Sequence, residues 1–157
     1  STGAPGAAAD TGLVELDCTM GELDGDGTFV PAESNGAMEL WLGFQGFLFL
    51  TPHVRAPGAE EGVYFSALYS VTVEGEEPEG GAQTGVPLSD GLSSELRLYL
   101  TAHELGWYVD RPAEIAIRLE TPAQTCVTQL DLRLVDDDPC IHTDAEPDCP
   151  DDTGEAR

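Results

Sequence analysis

Every second side chain is apolar in the stretch Val63-Tyr64-Phe65-Ser66-Ala67-Leu68-Tyr69-Ser70-Val71-Thr72-Val73. Successive side chains of a β-strand point to opposite faces of its sheet, so a two-residue period places one face in a core and the other in water. The stretch is therefore predicted to be a half-buried strand.

The same period recurs on both sides of this stretch, in residues 14–20, 48–54, 96–102, 115–119 and 126–134. Turn-forming pairs such as Asn35-Gly36 and Asp90-Gly91 separate the runs. No long segment carries the i, i+3, i+4, i+7 apolar stripe of an amphipathic helix. The pattern predicts an all-β fold, an antiparallel immunoglobulin-like β-sandwich of about seven or eight strands, with a small barrel as the alternative.

Composition divides the chain into three parts. Residues 1–12 are almost entirely small or turn-forming, and they predict a flexible Ala/Gly tether because they hold too little apolar surface to offset ordering entropy. Residues 13–135 carry the alternating runs and are predicted to form the sandwich domain. Residues 136–157 are rich in carboxylates and contain two cysteines, so we expect an acidic C-terminal tail.

The charge balance restricts the partners. The chain has 30 acidic and 6 basic residues and a formal net charge of −24, and it contains no lysine. Such a charge repels phosphate backbones and anionic membranes, which argues against nucleic-acid binding. The partners that such a charge permits are cations, basic surfaces and neutral ligands. Alternatively, the charge only keeps the protein soluble in salty surroundings, where charges are screened.

Four cysteines favour disulfides and an oxidising compartment, here the periplasm or outer cell surface. They are Cys18, Cys126, Cys140 and Cys149, and no two of them form a C-x-x-C pair. Of the three possible pairings we favour Cys18–Cys126 with Cys140–Cys149, because the first two lie on inward phases of the first and last predicted strands. No run approaches the roughly 20 apolar residues of a transmembrane segment.

One turn resembles the opening of a calcium loop. Asp24, Asp26 and Thr28 place oxygen ligands at alternate positions, separated by glycines. The EF-hand pattern fails, because its twelfth position is Asn35 instead of Glu. Since Asp-Gly is also a strong hairpin signal, a plain turn is the alternative to a calcium site. No other cofactor is indicated.

Motifs of nucleophilic, zinc-dependent or nucleotide-dependent catalysis are absent from the sequence. Aromatic residues are the remaining lead, because exposed rings can stack on sugars or anchor a protein partner. Trp107 and Tyr108 precede a turn and are the predicted ligand contacts. The aromatic residues of the apolar run 41–50 are more often core.

Part of the chain resembles small, acidic, uncharacterised surface lipoproteins of myxobacteria and related marine bacteria. The resemblance covers the step Thr28-Phe29-Val30-Pro31, the apolar run 38–47, the Ala/Gly-rich leader and the missing lysine. It departs from the commoner pattern at Phe44 and Phe47. It implies an envelope location and an immunoglobulin-like module, and it brings no catalytic residues. The small-residue tether resembles the segment that follows the lipid-bearing cysteine of a lipoprotein, so a lipid anchor before residue 1 is a hypothesis.

These features favour a non-enzymatic extracytoplasmic or cell-surface module that binds an unknown protein or glycan. A calcium-binding envelope protein is the alternative. A glycan-processing enzyme with an unrecognised carboxylate pair is a third hypothesis.

Overall fold

The computed structural model describes residues 13–42 and 47–136, of which 57% lie in strands and 3% in helix. The all-β prediction is confirmed. In chain order the elements are β1 Val14–Glu15, β2 Thr19–Leu23, β3 Phe29–Pro31, β4 Gly36–Glu39, β5 Trp41–Leu42, β6 Leu48–Leu50, β7 His53–Arg55, β8 Tyr64–Val73, β9 Glu79–Ser89, β10 Leu92–Ser93, β11 Leu98–Leu100, helix α1 Leu105–Tyr108, β12 Pro112–Glu120 and β13 Gln124–Val135.

Most strands belong to one large, curled sheet with the order β1-β13-β12-β8-β9-β10-β7-β2-β3. β1 and β4 both pair with β13, and both pairings are parallel. The sheet is therefore mixed, and the predicted antiparallel immunoglobulin-like sandwich is not confirmed. The described residues contain thirteen strands instead of the predicted seven or eight, since several are short edge segments.

The centre of this sheet follows the alternation seen in the sequence. β12 pairs antiparallel with both β8 and β13 over nearly its whole length. Ile115, Ile117 and Leu119 are almost completely buried, whereas Glu114 and Arg118, at alternate positions, are exposed. Each buried aliphatic side chain contributes about 1.5–3 kcal/mol of transfer free energy, which fixes the register.

A second, three-stranded sheet has the order β11-β6-β5. Leu48 and Leu50 of β6 and Leu98 and Leu100 of β11 are buried, and they belong to the same hydrophobic cluster as the inward side chains of the large sheet. The two sheets thus share one core, and the opposite face of the small sheet is turned away from it.

The Asp90-Gly91 turn between β9 and β10 has positive φ at both residues, 53° and 79°. A two-residue hairpin loop of this kind matches the twist of its strands, and aspartate and glycine are the residues that tolerate it. Among the described residues, no helix has the length and apolar character needed to cross a bilayer.

The predicted Cys18–Cys126 disulfide is present, with 6.0 Å between its Cα atoms and a sequence separation of 108. It joins the segment between β1 and β2 to β13. Cys140 and Cys149 lie outside the described residues, as do the predicted tether, residues 1–12, and the tail beyond Asp136.

Candidate binding surface

Three aromatic side chains form a row across the small sheet. Phe49 of the central strand β6 lies opposite Trp41 of β5 on one side and Tyr99 of β11 on the other. Because the leucines that alternate with Phe49 and Tyr99 point into the core, the row lies on the outward side. We call this row, together with Phe47, the aromatic face.

The exposed part of the aromatic face consists mainly of Phe47 and Tyr99, whose relative exposures are 53% and 40%. Phe49 beneath them is only 8% exposed. The ring centroid of Tyr99 lies 6.2 Å from that of Phe47, at an interplanar angle of 77°, and 5.8 Å from that of Phe49, at 59°. The first contact is edge-to-face and the second is tilted, so the rings form a cluster of inclined planes.

A cation belongs to the same cluster. The guanidinium carbon of Arg97 lies 4.7 Å from the ring centroid of Phe49, within the range of a cation–π interaction. Glu95 accompanies it, with 3.4 Å between its carboxylate and Nε of Arg97. The aromatic face therefore already holds one guanidinium and one carboxylate at its border.

Side chains of the large sheet hold β11 in place. On the edge of β11 that faces away from β6, the N–H of Arg97 donates to Oε1 of Gln83 at 3.0 Å, and the N–H of Tyr99 donates to the hydroxyl of Tyr69 at 3.2 Å. The N–H of Thr101 donates to Oε1 of Glu79 at 2.7 Å. These acceptors take the place of a neighbouring strand, so the aromatic face has a fixed backbone beneath it.

Tyr69 reaches β11 only because glycine lies opposite it on β9. Tyr69 and Gly81 are register partners, and a Cβ at Gly81 would lie 2.6 Å from the Tyr69 hydroxyl oxygen. The phenol ring crosses β9 through the space that a side chain would occupy.

Glu79 also connects the large sheet to α1. Its Oε2 accepts a hydrogen bond of 2.6 Å from the hydroxyl of Tyr108, and that hydroxyl accepts one of 3.1 Å from the N–H of His103. Burial, reinforced by the hydrogen bond to Glu79, raises the pKa of Tyr108 from 10.0 to about 12. The phenol is therefore a neutral donor that anchors the loop before α1.

The predicted contact residues Trp107 and Tyr108 occupy different environments. Tyr108 is fully buried. Trp107 is half-buried, with the His103 ring stacked 3.6 Å from it and the guanidinium carbon of Arg111 4.0 Å from its centroid. Both groups cannot fit over one face at these distances, so they lie on opposite faces of the indole. Ligand contact by Trp107 and Tyr108 stays a prediction. The aromatic cluster on the small sheet is more exposed than this pair.

The Asp24–Thr28 segment forms the hairpin turn between β2 and β3. Oδ1 of Asp24 accepts hydrogen bonds from the N–H groups of Asp26 at 2.8 Å and Thr28 at 2.9 Å. One carboxylate oxygen of the predicted calcium site thus stabilises the turn itself. Calcium binding here stays a prediction.

An open acidic pocket of about 300 Å³ lies elsewhere, on the outer side of β8, β12 and β13. Its lining includes Glu74, Glu114 and Asp131. Within residues 13–42 and 47–136, no group of three or more His, Cys, Asp or Glu side chains is arranged to hold a metal ion.

Alternation in the sequence places Tyr99 and Arg97 outward, but it does not reveal their partners. The row depends on β6 lying between β5 and β11, and β11 is about 50 residues further along the chain than β6. Phe44, in the same apolar run, lies outside the described residues.

No protein-family model matches the chain, and no curated protein matches it in sequence. Function is therefore inferred from the geometry of the described residues. The resemblance to myxobacterial lipoproteins stays a prediction.

Proposed function

We propose that the protein is a non-enzymatic, extracytoplasmic binding module that contacts a protein or glycan through its aromatic face. The observation that carries the proposal is the row Trp41–Phe49–Tyr99 with the exposed ring of Phe47 beside it. Monomeric proteins rarely leave aromatic rings clustered in water without a use, and tyrosine, tryptophan and arginine dominate the energetics of binding surfaces.

Two further observations support the location and the class. The Cys18–Cys126 disulfide is compatible with an oxidising compartment, which favours the periplasm or the cell surface. The two sheets enclose one core. This supports the immunoglobulin-like arrangement predicted from the alternation, which we include in the proposal.

A double substitution tests the binding role. Phe47→Ala with Tyr99→Ala removes the two exposed rings of the aromatic face without changing the net charge. The wild type and this variant are compared on a glycan array and a protein array, with Tyr64→Ala as the control, because Tyr64 is 71% exposed but lies on β8.

The proposal predicts at least one wild-type ligand whose signal is lost in the double variant and kept in Tyr64→Ala. Ligands that bind all three proteins equally would contradict it. Circular dichroism confirms that each variant is folded.

A further inference from the structure

We propose that the aromatic face binds an arginine- or lysine-bearing segment of a protein partner, an inference that rests on the proposed function and specifies its ligand. It connects two features of the molecule: the arrangement of the rings and of Arg97 at the small sheet, and the charge of the whole chain.

The net charge of the chain determines which charge a partner should carry. A net charge of −24 with no lysine creates a field that attracts cations and repels anions over distances of about a Debye length, roughly 8 Å in physiological salt. A second copy of the chain carries the same charge, so the field opposes self-association through this face. An anionic glycan is disfavoured for the same reason.

Contacts between a guanidinium and an aromatic ring, the kind proposed for the partner, already occur within the chain. Two of the five arginines in the described part of the chain lie over aromatic rings, Arg97 over Phe49 at 4.7 Å and Arg111 over Trp107 at 4.0 Å. The aromatic face thus already accepts a guanidinium at its border. The more exposed rings of Phe47 and Tyr99 offer the same chemistry to a partner.

Ring geometry distinguishes this partner from a neutral glycan chain. Successive sugars stack best on a platform of coplanar rings, whereas Phe47 and Phe49 are inclined to Tyr99 by 77° and 59°. Inclined rings form clefts that fit single side chains. Glu95, paired with Arg97 at 3.4 Å, adds a carboxylate at the border that a partner's second cation can reach.

A peptide selection tests the proposal. A library of random short peptides is selected on the wild type after depletion on the Phe47→Ala/Tyr99→Ala variant, which has the same net charge. Depletion removes peptides that bind through the overall charge alone. The recovered peptides are then measured against the wild type, the double variant and Tyr64→Ala.

The expected result is an excess of arginine and lysine in the recovered peptides. Their affinity should fall at least about thirtyfold in the double variant, the size of a hot-spot loss, and remain unchanged in Tyr64→Ala. Replacing peptide arginine by citrulline should weaken binding by a similar factor, because the cation is removed while the shape is kept.

Two results would overturn the proposal. One is a recovered set without an excess of basic residues, or no peptide that prefers the wild type. The other is a neutral glycan that binds the wild type and loses binding in the double variant. That second result leaves the binding role of the face intact and refutes only the basic partner.

Discussion

The pair Tyr69 and Gly81 shows how a single residue shapes the proposed binding surface. Gly81 contributes no side chain, and this absence lets the Tyr69 phenol pass over β9 to the backbone of Tyr99. A residue on the large sheet thereby fixes the backbone of a residue on the small one.

Tyr69→Phe removes this hydrogen bond and keeps the ring. We expect a loss of about 0.5–1.5 kcal/mol in the free energy of unfolding, together with faster hydrogen exchange at the Tyr99 amide. Gly81→Ala should accelerate the same amide, because its Cβ displaces the phenol. Unchanged exchange at Tyr99 in both variants would show that the hydrogen bond is not formed.

Tyr108 makes stability depend on pH in the alkaline range. Its pKa is about 12 in the folded protein and 10.0 when unperturbed, because burial and the bond to Glu79 favour the neutral phenol. Between these values the folded state keeps a proton that the unfolded state has lost, so the free energy of unfolding should fall as pH rises from about 10 to about 12.

Denaturant unfolding across this pH window measures the effect, with Tyr108→Phe as the comparison. In Tyr108→Phe, the part of the fall in the free energy of unfolding that comes from Tyr108 should be absent. A titration followed by phenolate absorbance should also lose the ionisation near pH 12. Parallel pH profiles of the two proteins would refute the assignment.

Among the elements, β11 depends most clearly on side chains outside its own sheet. Glu79 accepts hydrogen bonds from the Thr101 amide and the Tyr108 hydroxyl, so Glu79→Ala leaves both donors without this acceptor. We expect a loss of about 2–3 kcal/mol in the free energy of unfolding. Glu77→Ala removes the same charge from an exposed position in the preceding turn and should change stability little. Equal unfolding midpoints for the two variants would contradict this role of Glu79.

The hairpin of β2 and β3 provides a test of the calcium hypothesis. Because Asp24 already stabilises its own turn, we expect the unfolding temperature to be the same in millimolar calcium and in EDTA. A ligand that binds only the folded state raises its stability, so a higher unfolding temperature in calcium would favour a calcium-binding module instead.

Strands with one exposed and one buried face could be predicted from the sequence, and the elements without this pattern could not. Alternation predicts β8, β12 and β13 because each buries every second residue along much of its length. β9 was missed, since residues 79–85 include no buried side chain. Its inward positions Glu79 and Gln83 accept hydrogen bonds from backbone groups that flank β11 instead of filling the core. The four-residue helix α1 is too short to show a period.

At the scale of the whole molecule, one disulfide links two distant segments of the chain. The Cys18–Cys126 disulfide closes a loop across 108 positions, and its removal should lower the free energy of unfolding by about 4–5 kcal/mol on the chain-entropy account. Urea unfolding of a Cys18→Ser/Cys126→Ser variant measures this loss. A change below about 1 kcal/mol would show that the bridge does little to restrain the unfolded chain.

The central claim is that the exposed rings of the small sheet form a binding surface for a basic partner. Hydroxyl-radical footprinting of the wild type, with and without a basic peptide recovered by the selection, tests it most directly. The account predicts that Phe47 and Tyr99 are oxidised in the free protein and protected by the peptide, while Tyr64 is oxidised equally in both samples. Protection of Tyr64 alone, or no protection of Phe47 and Tyr99, would contradict it.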